Sequence, residues 1–151
     1  MRRWYDDVPA ERYPDDPIAE RRAALRGEDP TDYFVIELDG RPIGDIQCYL
    51  IDDDPEYAAM VALGRPAFGI DLFIGEPDLI GRGHGPALIR AFLRDVVFPT
   101  YDVAECVIGP SIKNVSAIRA YERAGFRFFK DAVVPDEPDP EHLMRIRRDE
   151  V

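Results

Sequence analysis

The sequence predicts an α/β fold: one sheet of mixed strand direction with helices packed against it, in a single domain. Three observations carry that expectation. Apolar residues recur with the strand period of two in some segments and the helical period of about 3.6 in others, and the two kinds alternate along the chain. The 14 prolines fall between the periodic segments. Asp39-Gly40 joins two β-favouring runs, so those neighbours pair antiparallel, while later runs are separated by helices that return the chain parallel. A length of 151 residues, 46% hydrophobic and 32% charged, suits one folded unit with a core of moderate size and excludes two large domains.

Pro9, Pro14 and Pro17 bracket an acidic entry, after which residues 18–26 are rich in strong helix formers and end at Gly27. Residues 33–38 and 43–51 form the predicted hairpin, with Pro42 disturbing the turn. Residues 52–56 read as an acidic loop, 57–63 as a short helix or lid, and 67–74 as a more apolar, central strand. From Gly85, Leu88, Ala91, Phe92 and Val96 recur at helical spacing up to a stop at Pro99. A short strand follows over 103–108. Asn114 then caps a helix whose Ala117, Ile118, Tyr121 and Ala124 share one side before Gly125 terminates it. Strands over 126–134 and 142–146, separated by an acidic, proline-rich loop over 135–141, complete the set.

Lys and Arg number 19 against 30 Asp and Glu, a net charge of −11. A field of that sign repels phosphate backbones and anionic lipid, so nucleic acid and membrane are excluded as partners, and a polyamine-like substrate is favoured. Two cysteines make no disulfide framework, and the arginines behind Met1 are followed by no apolar run, so a cytoplasmic location is expected. His84 and His142 are too isolated for a metal site. Cys48 has no His-Asp partner pattern to make it a nucleophile and reads as a core residue.

Ile80-Gly81-Arg82-Gly83-His84-Gly85 lies between a strand and the start of an amphipathic helix, where unpaired N–H groups and the helix dipole favour a bound phosphate. It is neither a P-loop, lacking the closing Lys-Ser or Lys-Thr, nor a dinucleotide fingerprint, since Pro86 stands where Gly or Ala belongs. Read alone, it is as consistent with an ordinary glycine turn. Its joint occurrence with Pro110-Ser111-Ile112-Lys113-Asn114-Val115-Ser116-Ala117-Ile118-Arg119-Ala120-Tyr121-Glu122-Arg123-Ala124-Gly125-Phe126 is more specific. With both segments present, the chain resembles the GCN5-related N-acetyltransferase superfamily, in which a glycine loop is followed one strand later by an Asn-x-x-Ala-x-x-x-Tyr-x-x-x-Gly-Phe helix. Gly69-Ile70-Asp71, the 81–85 loop and Pro110-Ser111 look most like the aminoglycoside 6′-N-acetyltransferases. The resemblance spans residues 33–133, with a weaker echo at Arg3-Trp4-Tyr5.

It implies a mixed, mostly antiparallel sheet flanked by helices, one acetyltransferase domain over residues 1–151, and acetyl-CoA as cosubstrate with no metal. It also implies that backbone groups of Leu72, Phe73 and Ile74 pair with the pantetheine arm. Arg82, Gly83, His84, Gly85 and Pro86 would cradle the pyrophosphate, Asn114 would bond the cofactor, and Tyr121 would lie near its sulfur. Chemistry supports the last role: an amine attacking a thioester expels a thiolate, which a phenol can protonate. Asp71, one carboxylate in an apolar strand, suits the ammonium of the acceptor and its proton. Asp53, Asp54 and Glu56 are further candidates for binding a polycation, as is the field of the loop after Pro135.

Two departures from the family pattern bear on function. Gly109 stands where the aminoglycoside enzymes carry an acidic residue before Pro-Ser, which either excludes aminoglycosides or moves their acidic contacts to other loops. The family's first strand and helix would precede Trp4 and are expected to be missing, so a second copy of the chain covers that sheet edge, or the fold tolerates the loss. The expected function is acetylation of a cationic amine, foremost the 6′-amino group of an aminoglycoside, conferring resistance. A siderophore-precursor acyltransferase, a peptide or protein N-acetyltransferase, and a non-catalytic acyl-CoA- or antibiotic-binding module are the competing expectations.

Overall fold

The computed structural model describes residues 22–135 and 137–151. Residues 22–25 are the helical end of the segment predicted over 18–26. The start of that helix, the Arg3-Trp4-Tyr5 echo and the family's first strand and helix lie outside the described residues.

The hairpin forms as predicted. Strands β1 (Asp32–Leu38) and β2 (Arg41–Leu50) pair antiparallel. Asp39 and Gly40 hold φ of 52° and 76°, the two positive values that a two-residue turn of matching twist requires. Glu37 faces Pro42 at a shift in register, where the missing proline N–H is accommodated by the irregularity. The acidic loop expected over 52–56 is instead a 3-10 turn, Ile51–Asp53, followed by helix α1, Pro55–Val61. Asp54 Oδ1 accepts from the N–H groups of Glu56 and Tyr57, both at 3.0 Å, and Pro55 suits the first helical position, so the helix begins earlier than periodicity suggests.

Strand β3 (Phe68–Ile74) pairs antiparallel with β2 and is central, as expected. Helix α2 (His84–Phe92) does not stop at Pro99: a π-helical segment, Leu93–Val97, leads into a last turn, Phe98–Thr100. The wider turn interrupts the i→i−4 ladder that a proline would otherwise break. Strand β4 (Glu105–Ile108), helix α3 (Val115–Ala124), and strands β5 (Arg127–Ala132) and β6 (Glu141–Arg147) follow. Asn114 caps α3 through Oδ1 to the Ala117 N–H at 3.1 Å, and Gly125 ends it at φ 105°.

The six strands form one sheet in the order β1-β2-β3-β4-β6-β5, antiparallel except for β3 beside β4. Alternation sends Ile46, Ile70, Cys106 and Ile146 to one face, where they pack with Ile89, Phe92, Leu93 and Tyr121 of α2, its π turn and α3. Val107 and Leu143 point to the other face and pack with Ile51, Val61 and Ala67 beneath α1. The parallel pair β3–β4 makes two register pairs, Phe68 with Cys106 and Gly69 with Val107. Beyond Gly69, β3 continues to Ile74 in register with β2 but no longer with β4, so the sheet opens between its two middle strands.

Candidate active site

On the α2–α3 face, the opening widens into a cleft of about 290 Å³. Leu72, Phe73 and Ile74 form one wall, the glycine loop and the start of α2 a second, and Asn114, Ala117 and Tyr121 a third. Past Gly69, β3 makes no further register pair with β4. That stretch can accept an extended ligand with amides of its own, as an added strand would be accepted. Gly81 and Gly83 need glycine for their backbone, with φ of 77° and 84°. Gly85 does not: its φ is ordinary, and an added Cβ would meet no protein atom within 4 Å. Room is therefore kept at the head of α2, where the first-turn N–H groups and the dipole favour an anion. Gly83, His84, Gly85 and Pro86 line this end of the cleft, whereas Arg82 is exposed and outside the lining. Asn114 has one oxygen engaged in capping α3, which leaves its amide N–H groups for a ligand.

Tyr121 lies in the floor of the cleft, 9% exposed, with its ring 6.2 Å from that of Phe126. Burial, with Asp71's charge, raises its pKa, so the phenol remains a proton donor throughout the physiological range. Asp71 projects from the opposite face of the sheet and reaches Tyr121 electrostatically through the opening. Gln47 stands directly across from it on β2 and donates to Asp71 Oδ2 at 3.1 Å. Tyr49, two residues on, lays its ring over Gly69, where any Cβ would collide with it, and its hydroxyl donates to Asp71. Asp71 is solvent-accessible yet enclosed by the surrounding walls, and the resulting desolvation raises its carboxyl above the ordinary value despite the two hydrogen bonds. A carboxylate so placed binds a cation and accepts a proton more readily than a free one.

Tyr57 of α1 and Glu141, the first residue of β6, complete this second face. The Tyr57 hydroxyl donates to Glu141 Oε2 at 3.1 Å. Glu141 is not a loop residue as expected but opens a strand, opposite Ser111. Gln47, Tyr49, Tyr57 and Glu141 as members of a site were missed by motif reading. Strand parity groups Glu141 with Leu143 on the Asp71 face, and that alternation was present in the sequence; the register that sets Gln47 across from Asp71 was not. Of the other predicted carboxylates, Asp54 caps α1, and Asp53 and Glu56 are exposed. Cys48 is a fully buried core residue whose thiol is pushed up to about 11 by desolvation. Among the described residues, no group of three His, Cys, Asp or Glu side chains is arranged to hold a metal ion, and no helix is long and apolar enough to cross a membrane.

Comparison with known proteins places this geometry. The chain is 31% identical over 116 residues to an aminoglycoside N(6′)-acetyltransferase type 1 of Klebsiella pneumoniae, covering 77% of this chain and 57% of that one. A kanamycin resistance protein of Rhizobium radiobacter is 36% identical over 70 residues, 46% of this chain and 64% of that one. The chain thus spans less than two thirds of the length of these curated relatives. Among solved structures, aminoglycoside acetyltransferase AAC(6′)-Ib in complex with coenzyme A superposes with a TM-score of 0.70 at 25% identity, over 88% of this chain and 76% of that one. An uncharacterized protein of Bacillus halodurans shares the fold at a TM-score of 0.81 and 20% identity, over 97% and 77% of the two chains. A family model described as acetyltransferase (GNAT) domain matches residues 7–134, and with the open sheet, glycine loop and Asn114 helix already in view, the chain belongs to the GNAT acetyltransferase family.

Proposed function

We propose that the protein transfers acetyl from acetyl-CoA to a primary amine of a cationic acceptor, foremost the 6′-amino group of an aminoglycoside. One observation carries the reading: Tyr121, a proton donor, lines the cleft on the α2–α3 face, while Asp71, a carboxylate, stands on the opposite face of β3 where that strand has parted from β4. Acetyl-CoA bound in the cleft would present its thioester at that opening. Leu72, Phe73 and Ile74, which wall the cleft where β3 has parted from β4, suit the pantetheine amides, and the room at Gly83, His84, Gly85 and Pro86 suits the pyrophosphate. Arg82 contributes charge from outside the wall, and Asn114 bonds the cofactor through its free amide. Asp71 then binds the acceptor's ammonium and removes its proton. The neutral nitrogen bonds to the acetyl carbon, the C–S bond breaks as the nitrogen gives up its second proton to solvent, and Tyr121 protonates the departing thiolate; solvent returns the proton to Tyr121. Asp53, Asp54 and Glu56 add a negative field rather than contacts. The relatives that act on aminoglycosides and the net charge of −11 favour this acceptor over a peptide or siderophore precursor.

A thiol-release assay with acetyl-CoA tests the reading across kanamycin, spermidine, a lysine peptide and N-hydroxylysine. Kanamycin is expected to give the fastest release. Asp71→Asn is expected to lower that rate on the order of 10²-fold, the loss of a positioned base, while calorimetry finds acetyl-CoA affinity within about threefold of wild type. Release with the peptide alone, or an undiminished rate in Asp71→Asn, would overturn it.

A further inference from the structure

We propose that Glu141 is a second acceptor-binding carboxylate, seated in the space that a side chain on Gly109 would fill and recognising a further ammonium group of a polyamine acceptor. This extends the acceptor half of the proposed function and rests on it. The position follows from the strands. His142 N–H donates to the Pro110 carbonyl at 2.7 Å and Ile112 N–H to that of Pro140 at 3.0 Å, so β6 starts alongside the segment leaving β4. Parity with Leu143 puts the Glu141 side chain on the Asp71 face.

Gly109 explains why it fits. Its φ lies outside the left-handed region, so the backbone alone does not demand glycine there. A Cβ at 109 would, however, overlap the Glu141 carboxyl group and crowd Leu143. The missing side chain makes room for an acidic group delivered from the neighbouring strand. That group is held in place: the Tyr57 hydroxyl donates to it at 3.1 Å, and the Tyr49 hydroxyl, which donates to Asp71, lies beside that of Tyr57.

Among the described residues, no Arg or Lys forms an ion pair with Asp71 or Glu141, although each carboxylate lies within the other's field and that of Glu137. Like charges held together without a cation repel, and burial and that repulsion push Glu141 up to about 7. An ammonium group between them relieves both effects. Two separated carboxylates, each held by its own phenol hydroxyl, match an acceptor with more than one amino group rather than a monoamine.

The test is calorimetric titration of kanamycin into the coenzyme A complex of wild type, Glu141→Gln, Glu141→Ala and Glu141→Ala/Gly109→Asp, with acetyl-CoA affinity as the control for folding. Kanamycin binding is expected to weaken at least tenfold in the two single variants, as for loss of a charged hydrogen bond. The double variant, which returns a carboxylate to the same space from β4, is expected to recover to within about threefold of wild type. Glu141→Gln keeps an acceptor for Tyr57, so undiminished binding in that variant would mean Glu141 only positions Tyr57 and would overturn the proposal. Absence of kanamycin binding to wild type would overturn it as well. Wild type that binds kanamycin through Glu141 but releases no thiol from acetyl-CoA would instead refute the proposed transfer and leave this inference standing.

Discussion

Tyr121 is a core side chain by burial and also lines the cleft, where the proposed transfer assigns its hydroxyl the proton for the thiolate, and packing and proton donation make separable demands. Its ring packs in the same cluster as Phe92, Leu93, Phe126 and Ile146. Phenylalanine satisfies that packing and removes the proton donor alone. Tyr121→Phe is therefore expected to fold normally and bind acetyl-CoA with little change, while kcat falls on the order of 10²-fold. Steady-state kinetics with acetyl-CoA calorimetry checks it; an unchanged kcat would assign protonation of the thiolate to water. The helix that carries Tyr121, its cap and its apolar side were legible from the spacing of Asn114, Ala117, Tyr121 and Gly125-Phe126, because helix periodicity and cap chemistry are local; the proposed role of the hydroxyl came from the family resemblance. Glu141 was legible only as negative charge, since its neighbours Tyr57 and Gly109 are distant in sequence and met through the sheet.

Among the elements, the glycine loop and the head of α2 separate what the fold needs from what a ligand needs. Gly83 is in the left-handed region at the N-cap, but Gly85 occupies the first turn with no protein atom near its missing Cβ. Alanine there should cost the fold nothing and can stabilise the unliganded helix by about 0.5 kcal/mol. The same methyl group intrudes on the room for pyrophosphate. Acetyl-CoA at one hundred times its Kd stabilises a folded protein by about 2.7 kcal/mol, and a tenfold weaker Kd reduces that to roughly 1.4 kcal/mol. In a thermal melt, Gly85→Ala is thus expected to keep or raise the unliganded Tm and to lose about half of the rise that acetyl-CoA produces in wild type. An equal rise in both proteins would remove the glycine loop from the cofactor site. The helix and strand types here were readable, while the run of α2 past Pro99 was not, because the π turn that accommodates it depends on packing of Leu93 and Val97 in the core.

At the scale of the described residues, the sheet acts as a partition that parts between β3 and β4, and Asp71 and Glu141 lie on one side of it. Crowding Asp71, Glu141 and Tyr57 under α1, with Glu137 nearby, has a cost in stability that depends on pH. The Glu141 carboxyl, ordinarily near 4.5, is raised to about 7 in the fold. Between those values the folded state binds more protons than the unfolded one, so its contribution is fully present below pH 4.5 and is lost as pH rises through 7. Denaturant melts of the unliganded protein at pH 4.5 and pH 7.5 are expected to differ less in Glu141→Gln than in wild type, by roughly 2–3 kcal/mol. Identical pH dependence in the two proteins would mean that Glu141 is ionised at little cost and that the repulsion between the carboxylates is small.

Local order in the chain was sufficient to indicate most of the strands and helices, the hairpin turn at Asp39-Gly40, the caps at Asn114 and Gly125, and the glycine-loop and Asn114-helix motifs from which acetyl-CoA was expected. Each depends on residues within a few positions of one another, whose backbone preferences, periodicity and hydrogen-bonding capacity act before any long-range contact forms. The tertiary structure alone decided that β3 and β4 separate after two register pairs, and that Asp71 and Tyr121 stand on opposite faces of the sheet beside that opening. It also brought the carboxylate of Glu141, on the last strand, into the space left by Gly109 on the segment after β4. Those arrangements are set by strand order and register, which emerge from packing both sheet faces at once.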